Sequence, residues 1–149
     1  KLAPASKMIG LDGQKMSKSY NNTISLREHP DEIEKKIRKM PTDPARIRRS
    51  DPGDPKKCPV WQLHEVYSNE KTRLWVENGC KNADIGCIEC KQPVVDSILK
   101  EIKPIQERAL HYIDSPDLVK SVVAEGCEKA RKIARDTMRD VREVMGVNF

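Results

Sequence analysis

Five prolines fall within PTDPARIRRSDPGDPKKCP, residues 41–59. Each fixes φ and removes a backbone donor, so this stretch cannot be a continuous helix. It has no apolar alternation either, which excludes a regular strand. A stiff, extended connector is the expected result, and it splits the chain into helical stretches on either side.

Upstream, residues 1–24 read as a loop rich in Gly, Ser and Asn. His29-Pro30-Asp31-Glu32 opens a helix, because Pro suits the first turn and the acids suit its positive end. Ile33, Ile37 and Met40 recur at helical spacing until Pro41 stops the run. Downstream, Val60, Leu63, His64, Val66 and Tyr67 predict a short helix, and 71–77 a second that stops near Asn78-Gly79. Val95, Ile98, Leu99, Ile102, Ile105, Ala109, Tyr112 and Ile113 then form one stripe, which keeps phase across Pro104. Ser115-Pro116-Asp117 is a fresh start signal for a last helix, with Val119, Val122, Val123, Cys127, Ile133, Val141 and Val144 on one face up to Gly146. Two long amphipathic helices with a tight turn between them are expected to pack antiparallel. No alternation of strands with helices is present, so the expected fold is all-α: a helical bundle preceded by a loop and the Pro-rich connector.

No apolar run reaches membrane-spanning length and no signal peptide is evident, so a soluble, cytoplasmic protein is expected, with no membrane partner. The chain starts at Lys1 and meets a dense motif at once, as expected of a piece of a longer protein. The net charge of +5 is concentrated: nine Lys and Arg lie between 35 and 57 against Asp43, Asp51 and Asp54. This is the electrostatic footprint of a polyanion binder, with RNA the plausible partner and Arg46, Arg48 and Arg49 the candidate contacts. A solvated basic loop is the plainer reading of the same charges.

GLDGQKMSKSYNN, at 10–22, sets Lys15 and Lys18 three apart among Ser17 and Ser19. Transfer of a phosphoryl or adenylyl group gathers negative charge on the leaving phosphates, which mobile ammonium groups offset. Spacing alone would leave this an ordinary solvent-facing loop.

Cysteines stand at 58, 80, 87, 90 and 127. An intracellular chain argues against a disulfide framework. Cys58, Cys80, Cys87 and Cys90 form C-x21-C-x6-C-x2-C, which could complete a tetrahedral zinc site, hold a cubane cluster, act in redox chemistry or be unconnected. Cys127, on the apolar face of the last helix, reads as a small buried hydrophobe.

Lys15-Met16-Ser17-Lys18-Ser19 is identical to the KMSKS signature of class I aminoacyl-tRNA synthetases. GLDGQKMSKSYNNTISL, TDPARIRRSDPGDP and the GC-x-x-CK segment at 86–91 resemble the tryptophanyl branch of that family. The resemblance implies a C-terminal part of an enzyme that activates tryptophan with ATP and Mg and transfers it to tRNA(Trp). Residues 1–28 would then close a catalytic domain otherwise absent, and 29–149 would be the helical anticodon-binding domain. Lys15 and Lys18 would contact phosphate as the catalytic pair, Ser17 and Ser19 would lend polar support, and Met16 would pack at the loop's base. Met8 and Ile9 would lie against adenine.

A His-x-Gly-His-like string is missing, since the histidines stand in HPDE, HEVY and HYID. The chain alone is therefore expected not to aminoacylate. The cysteine spacing resembles a bacterial subset of the branch with a 4Fe–4S cluster near the anticodon site. That resemblance implies Cys58, Cys80, Cys87 and Cys90 as ligands, with zinc the alternative. The full-length enzyme would be a homodimer through its catalytic domain, and this piece a monomer. A free-standing, metal-stabilised RNA-binding module is the competing reading.

Overall fold

The computed structural model describes residues 7–147. Five α-helices occur among them: α1 (Pro30–Lys39), α2 (Pro59–Tyr67), α3 (Glu70–Lys81), α4 (Cys87–Ile113) and α5 (Pro116–Met145). The only β-pairing there is an isolated antiparallel bridge between Ile9 and Lys15. Among the described residues, no helix is long and apolar enough to cross a membrane. The all-α expectation holds.

The helix boundaries follow local chemistry. His29 caps α1 by accepting the Asp31 N–H, and Asp31 and Glu32 fill its first turn. α2 starts at Pro59, the last proline of the connector, which itself folds as turns and a 3-10 segment at Pro55–Lys57. Asn69 caps α3 through the Thr72 N–H at 2.8 Å. α3 runs past the predicted stop at Asn78-Gly79 to Lys81. Gly79 is there for contact rather than termination: a Cβ would sit 2.8 Å from the Ile85 side chain. α4 begins eight residues before its predicted stripe, at Cys87, and continues through both Pro93 and Pro104.

Two compact units divide at Gln106 and Glu107. In the first, Ile33, Ile37 and Met40 of α1 meet Val60 and Leu63 of α2 and Val94, Val95, Ile98 and Ile102 of α4. Ile9 joins the same core, with Met8, Leu11 and Ile24 packed against it. Met8, Ile9, Leu11 and Ile24 of the loop segment thus share an interior with the helices that follow. Gln106 ties it further by donating to the carbonyls of Leu26 and Glu28.

One buried lysine fastens this unit. Lys91 of α4 is 3% exposed, and its Nζ donates to the Arg38 and Met40 carbonyls at 2.7 Å each. These carbonyls lie at the C-terminal end of α1, where unsatisfied acceptors and negative dipole favour a cation. Burial pushes the Lys91 amine below its usual range. Lys91→Met keeps the stem but leaves two carbonyls without their donor, and should cost about 2 kcal/mol in urea denaturation.

The second unit corrects an expectation. Apolar periodicity in α5 is present, yet none of its residues is buried. Val122, Ile133 and Val144 are 56%, 69% and 89% exposed, and Cys127 is exposed too. The face predicted to pack antiparallel does not build the core; the core lies in the first unit. Periodicity identifies the side of a helix suited to burial, but the partner must come from elsewhere.

Candidate functional site

The lysine loop is a hydrogen-bonded turn. Met16 N–H donates to the Met8 carbonyl at 3.0 Å, and Gly10 N–H to the Gln14 carbonyl at 2.7 Å. Lys18–Tyr20 forms a 3-10 turn that closes on Asn21 in the left-handed region. Lys15, Lys18 and Ser19 point to solvent, with Met16 and Ser17 half-buried. The Ser17 and Ser19 hydroxyls share a 2.8 Å hydrogen bond. Ile9 is buried in the core, so only its backbone is free to meet a ligand, whereas Met8 is half-buried. The arrangement presents two mobile positive charges and two hydroxyls from a pinned backbone, which suits a polyphosphate.

A second site forms where the connector meets α2, α3 and α4. Cys58, Cys80, Cys87 and Cys90 line one cavity with Thr42, Asp43, Arg46, Val60 and Lys91. Residues far apart in the chain meet there because α4 starts at Cys87, α3 ends just past Cys80 and Cys58 precedes α2. Gly53 lets the connector approach: its N–H donates to the Cys80 carbonyl at 2.9 Å, and a Cβ would sit 2.7 Å from Cys80 Sγ. Burial, with the other cysteines adding repulsion, pushes the Cys90 thiol up to about 12. Burial likewise raises Cys58 and Cys80.

The donors around this cavity are specific. Arg46 is only 9% exposed, and its Nη2 donates to the carbonyls of Arg49 at 2.8 Å and Ile85 at 2.6 Å. Its Nη1 lies 3.9 Å from Cys80 Sγ, and its Nε is buried without a partner. His64 is fully buried between the Ser68 hydroxyl, 2.8 Å from Nδ1, and Cys90 Sγ, 3.5 Å from Nε2. Burial lowers its pKa to about 4, so the ring is neutral. Asp43 accepts the N–H groups of Ala45 and Asp54, which hold its carboxyl below the usual carboxylate range. The four cysteines thus share their cavity with a buried arginine whose Nε–H has no partner. Among the described residues, no group of three or more His, Cys, Asp or Glu is placed to hold a metal ion.

Beside the cavity runs an open groove of about 660 Å³. It is lined by Arg38, Arg48 and Arg49, by Gln92, and by the apolar side chains of Ile47 and Ile88, 87% and 59% exposed. Arg49 makes only a long, exposed ion pair with Glu89, at 3.7 Å. Of the three arginines expected to meet RNA, Arg48 and Arg49 are exposed and Arg46 is not. Its guanidinium is committed to the interior, tying the arginine loop to the cysteine cavity.

Sequence reasoning did not single out Asn22, Asp43, His64 or Lys91 as site residues. Asn22 follows the lysine loop directly and is 2% exposed, a position that could have drawn notice.

The family model for tRNA synthetases class I (W and Y) matches residues 3–102. The chain is 61% identical over 148 residues to the tryptophan–tRNA ligase of Ralstonia nicotianae, covering 99% of this chain and 37% of that protein. It is 43% identical over 149 residues to the Thermotoga maritima tryptophan–tRNA ligase, covering 99% and 45% respectively. Among solved structures, tryptophanyl-tRNA synthetase from Campylobacter jejuni, complexed with ADP and tryptophan, superposes with a TM-score of 0.79. That match has 26% identity and covers 94% of this chain and 43% of that one. The chain therefore spans less than half the length of these relatives. With a pinned KMSKS loop in front of an all-helical unit, it belongs to the class I tRNA synthetases of the W and Y group.

Proposed function

We propose that this chain is the C-terminal part of a tryptophan–tRNA ligase, which activates tryptophan with ATP and Mg²⁺ and transfers it to tRNA(Trp). The observation that carries this reading is the outward display of Lys15 and Lys18 from a fastened KMSKS turn. As pyrophosphate leaves, negative charge collects on the β- and γ-phosphates. Two ammonium groups on flexible stems offset that charge in the transition state more than in the ground state. Ser17 and Ser19 supply hydroxyl donors, Met16 anchors the loop's base, and Met8 with the Ile9 backbone borders the adenine.

The tryptophan pocket belongs to the catalytic domain of the longer protein, so the chain alone catalyses no ATP–pyrophosphate exchange. In the full-length enzyme, Lys18→Ala should lower kcat for exchange about 100-fold, the scale of losing one transition-state donor. An unchanged kcat in both Lys15→Ala and Lys18→Ala would remove the loop from the chemistry.

The finer assignment divides 1–28, the end of the catalytic part, from 29–149, the anticodon-binding part. The groove between Arg48, Arg49, Ile47 and Ile88 takes single-stranded anticodon nucleotides: the arginines pair with phosphates and the isoleucines offer apolar platforms to bases. Each arginine removed should lower RNA affinity several-fold and reduce the salt slope of binding by about 0.7. Titrations of Arg48→Ala and Arg49→Ala with tRNA(Trp) at several salt concentrations read this directly.

Cys58, Cys80, Cys87 and Cys90 hold a 4Fe–4S cluster in this reading, with zinc the alternative. A cubane takes one thiolate per iron, and the four cysteines that line one cavity supply that number. When bound, the centre would supply the positive charge that lets four buried thiolates coexist, and would cross-link the connector to α3 and α4. Its role is structural and RNA-positioning. The full-length enzyme acts in the cytoplasm as a homodimer assembled through its catalytic domain, and this chain by itself is a monomer.

A further inference from the structure

Asn22 lies just beyond the KMSKS string, is 2% exposed, and gathers three hydrogen bonds onto one carboxamide. Its Oδ1 accepts the Ser17 N–H at 2.8 Å. Its Nδ2 donates to Asp12 Oδ1 at 2.7 Å and to the Lys15 carbonyl at 3.2 Å. The Asn22 backbone carbonyl also accepts the Leu11 N–H at 2.9 Å. Three separate points of the turn are therefore held by one residue: the Asp12 side, the carbonyl of the first lysine, and the amide two residues later.

The surroundings are shaped for that side chain. A Cβ on Gly10 would lie 2.3 Å from Asn22 Nδ2 and 2.8 Å from the Asn22 carbonyl, so Gly10 is what admits the amide. Asp12 is fixed in turn by the Gln14 N–H at 2.9 Å. Only an amide satisfies this arrangement. The Ser17 N–H needs an acceptor, while Asp12 and the Lys15 carbonyl both need donors. A carboxylate at position 22 would face the Asp12 carboxylate and a carbonyl with no proton to offer; an aliphatic side chain would leave all three groups unpaired.

We infer that Asn22 is a positioning residue for the lysine loop. It holds the backbone from Lys15 to Ser17 so that both ammonium groups start from a preset base, while Lys15 and Lys18 stay mobile in their side chains. Function requires both properties together: a loose backbone would spread the charges over many geometries, and effective alignment accounts for much of the gain from positioned groups. This inference rests on the proposal that the loop contacts ATP phosphates, and its test is built in two independent arms.

The first arm uses the 149-residue chain and needs no activity. Asn22→Ala should speed amide hydrogen exchange at Ser17 by about tenfold, the loss of roughly one hydrogen bond, with the Ile33 and Ile37 amides unchanged. Unaltered Ser17 exchange overturns the inference. The second arm uses the full-length enzyme in ATP–pyrophosphate exchange. Asn22→Asp should lower kcat about 30-fold with KM for tryptophan unchanged. Adding Asp12→Asn to it returns an amide–carboxylate pair with the roles exchanged, and should recover at least about fivefold. A general folding defect would give no such recovery, so its absence also overturns the inference. If Lys15→Ala and Lys18→Ala are silent while Ser17 exchange responds to Asn22→Ala, the ATP reading fails and the positioning of the loop stands.

Discussion

If the four cysteines hold the proposed metal centre, Cys90→Ser is expected to empty it and to lower the unfolding midpoint far more than any surface change. The serine hydroxyl is nearly isosteric but is a poor ligand for iron or zinc at neutral pH. Free energy of binding at a structural metal site is also free energy of folding, on the order of 10 kcal/mol for zinc modules. Cys90 is the most strongly buried in effect of the four thiols, its proton held to about 12 by desolvation and the nearby cysteines. Without a metal it stays a neutral thiol, which contributes little to organising the connector. Anaerobically purified protein should carry brown charge-transfer absorption and about four irons per chain, as the cubane requires, both lost in Cys90→Ser. Zinc at about one per chain would select the alternative centre. Cys127→Ser is the matched control: Cys127 is exposed on α5, and its replacement should leave metal content and midpoint unchanged. Equal metal content in Cys90→Ser and wild type would remove Cys90 from the ligand set.

Local chemistry made much of this fold legible. Pro30, Pro41, Pro59 and Pro116 mark helix boundaries because proline acts on its own backbone and that of its neighbours. Cys80, Cys87 and Cys90 lie close in the sequence, and the hairpin of α2 and α3 returns the chain from Cys58 to the same cavity. What stayed hidden depends on partners far along the chain. Lys91 reaches the end of α1 from 51 residues away, and Arg46 reaches Ile85 across 39. As letters, both belong with the surface cations, and Arg46 fell in the basic run read as an RNA contact. His64 was read as an ordinary member of an apolar helix face; Ser68 stands one helical turn on, but its Cys90 neighbour appears only once α2 meets α4. α5 is the opposite case. Its apolar stripe was visible, but a stripe does not say whether its partner lies in the same 149 residues.

Arg46→Met is expected to destabilise the first unit by about 3 kcal/mol, and through it to weaken RNA binding. The methionine keeps comparable apolar bulk but removes donors held at 2.8 Å and 2.6 Å from the carbonyls of Arg49 and Ile85. Both acceptors are left without that partner, and Cys80 Sγ loses the guanidinium 3.9 Å away. Arg46→Lys should recover only part of the loss, because one ammonium cannot span two carbonyls and Cys80 Sγ with the fork of a guanidinium. Arg48→Ala and Arg49→Ala supply the contrast. Their side chains are exposed, so unfolding free energies should change by no more than about 0.5 kcal/mol while tRNA affinity falls. Comparing the variants separates a residue that touches RNA from one that shapes the surface that does. Arg46 belongs to the second kind if its variant weakens binding in proportion to the unfolding of the 46–53 segment, read by hydrogen exchange, and leaves the salt slope unchanged. A full loss of one unit of phosphate contact with an unaltered urea midpoint would instead return Arg46 to the RNA face.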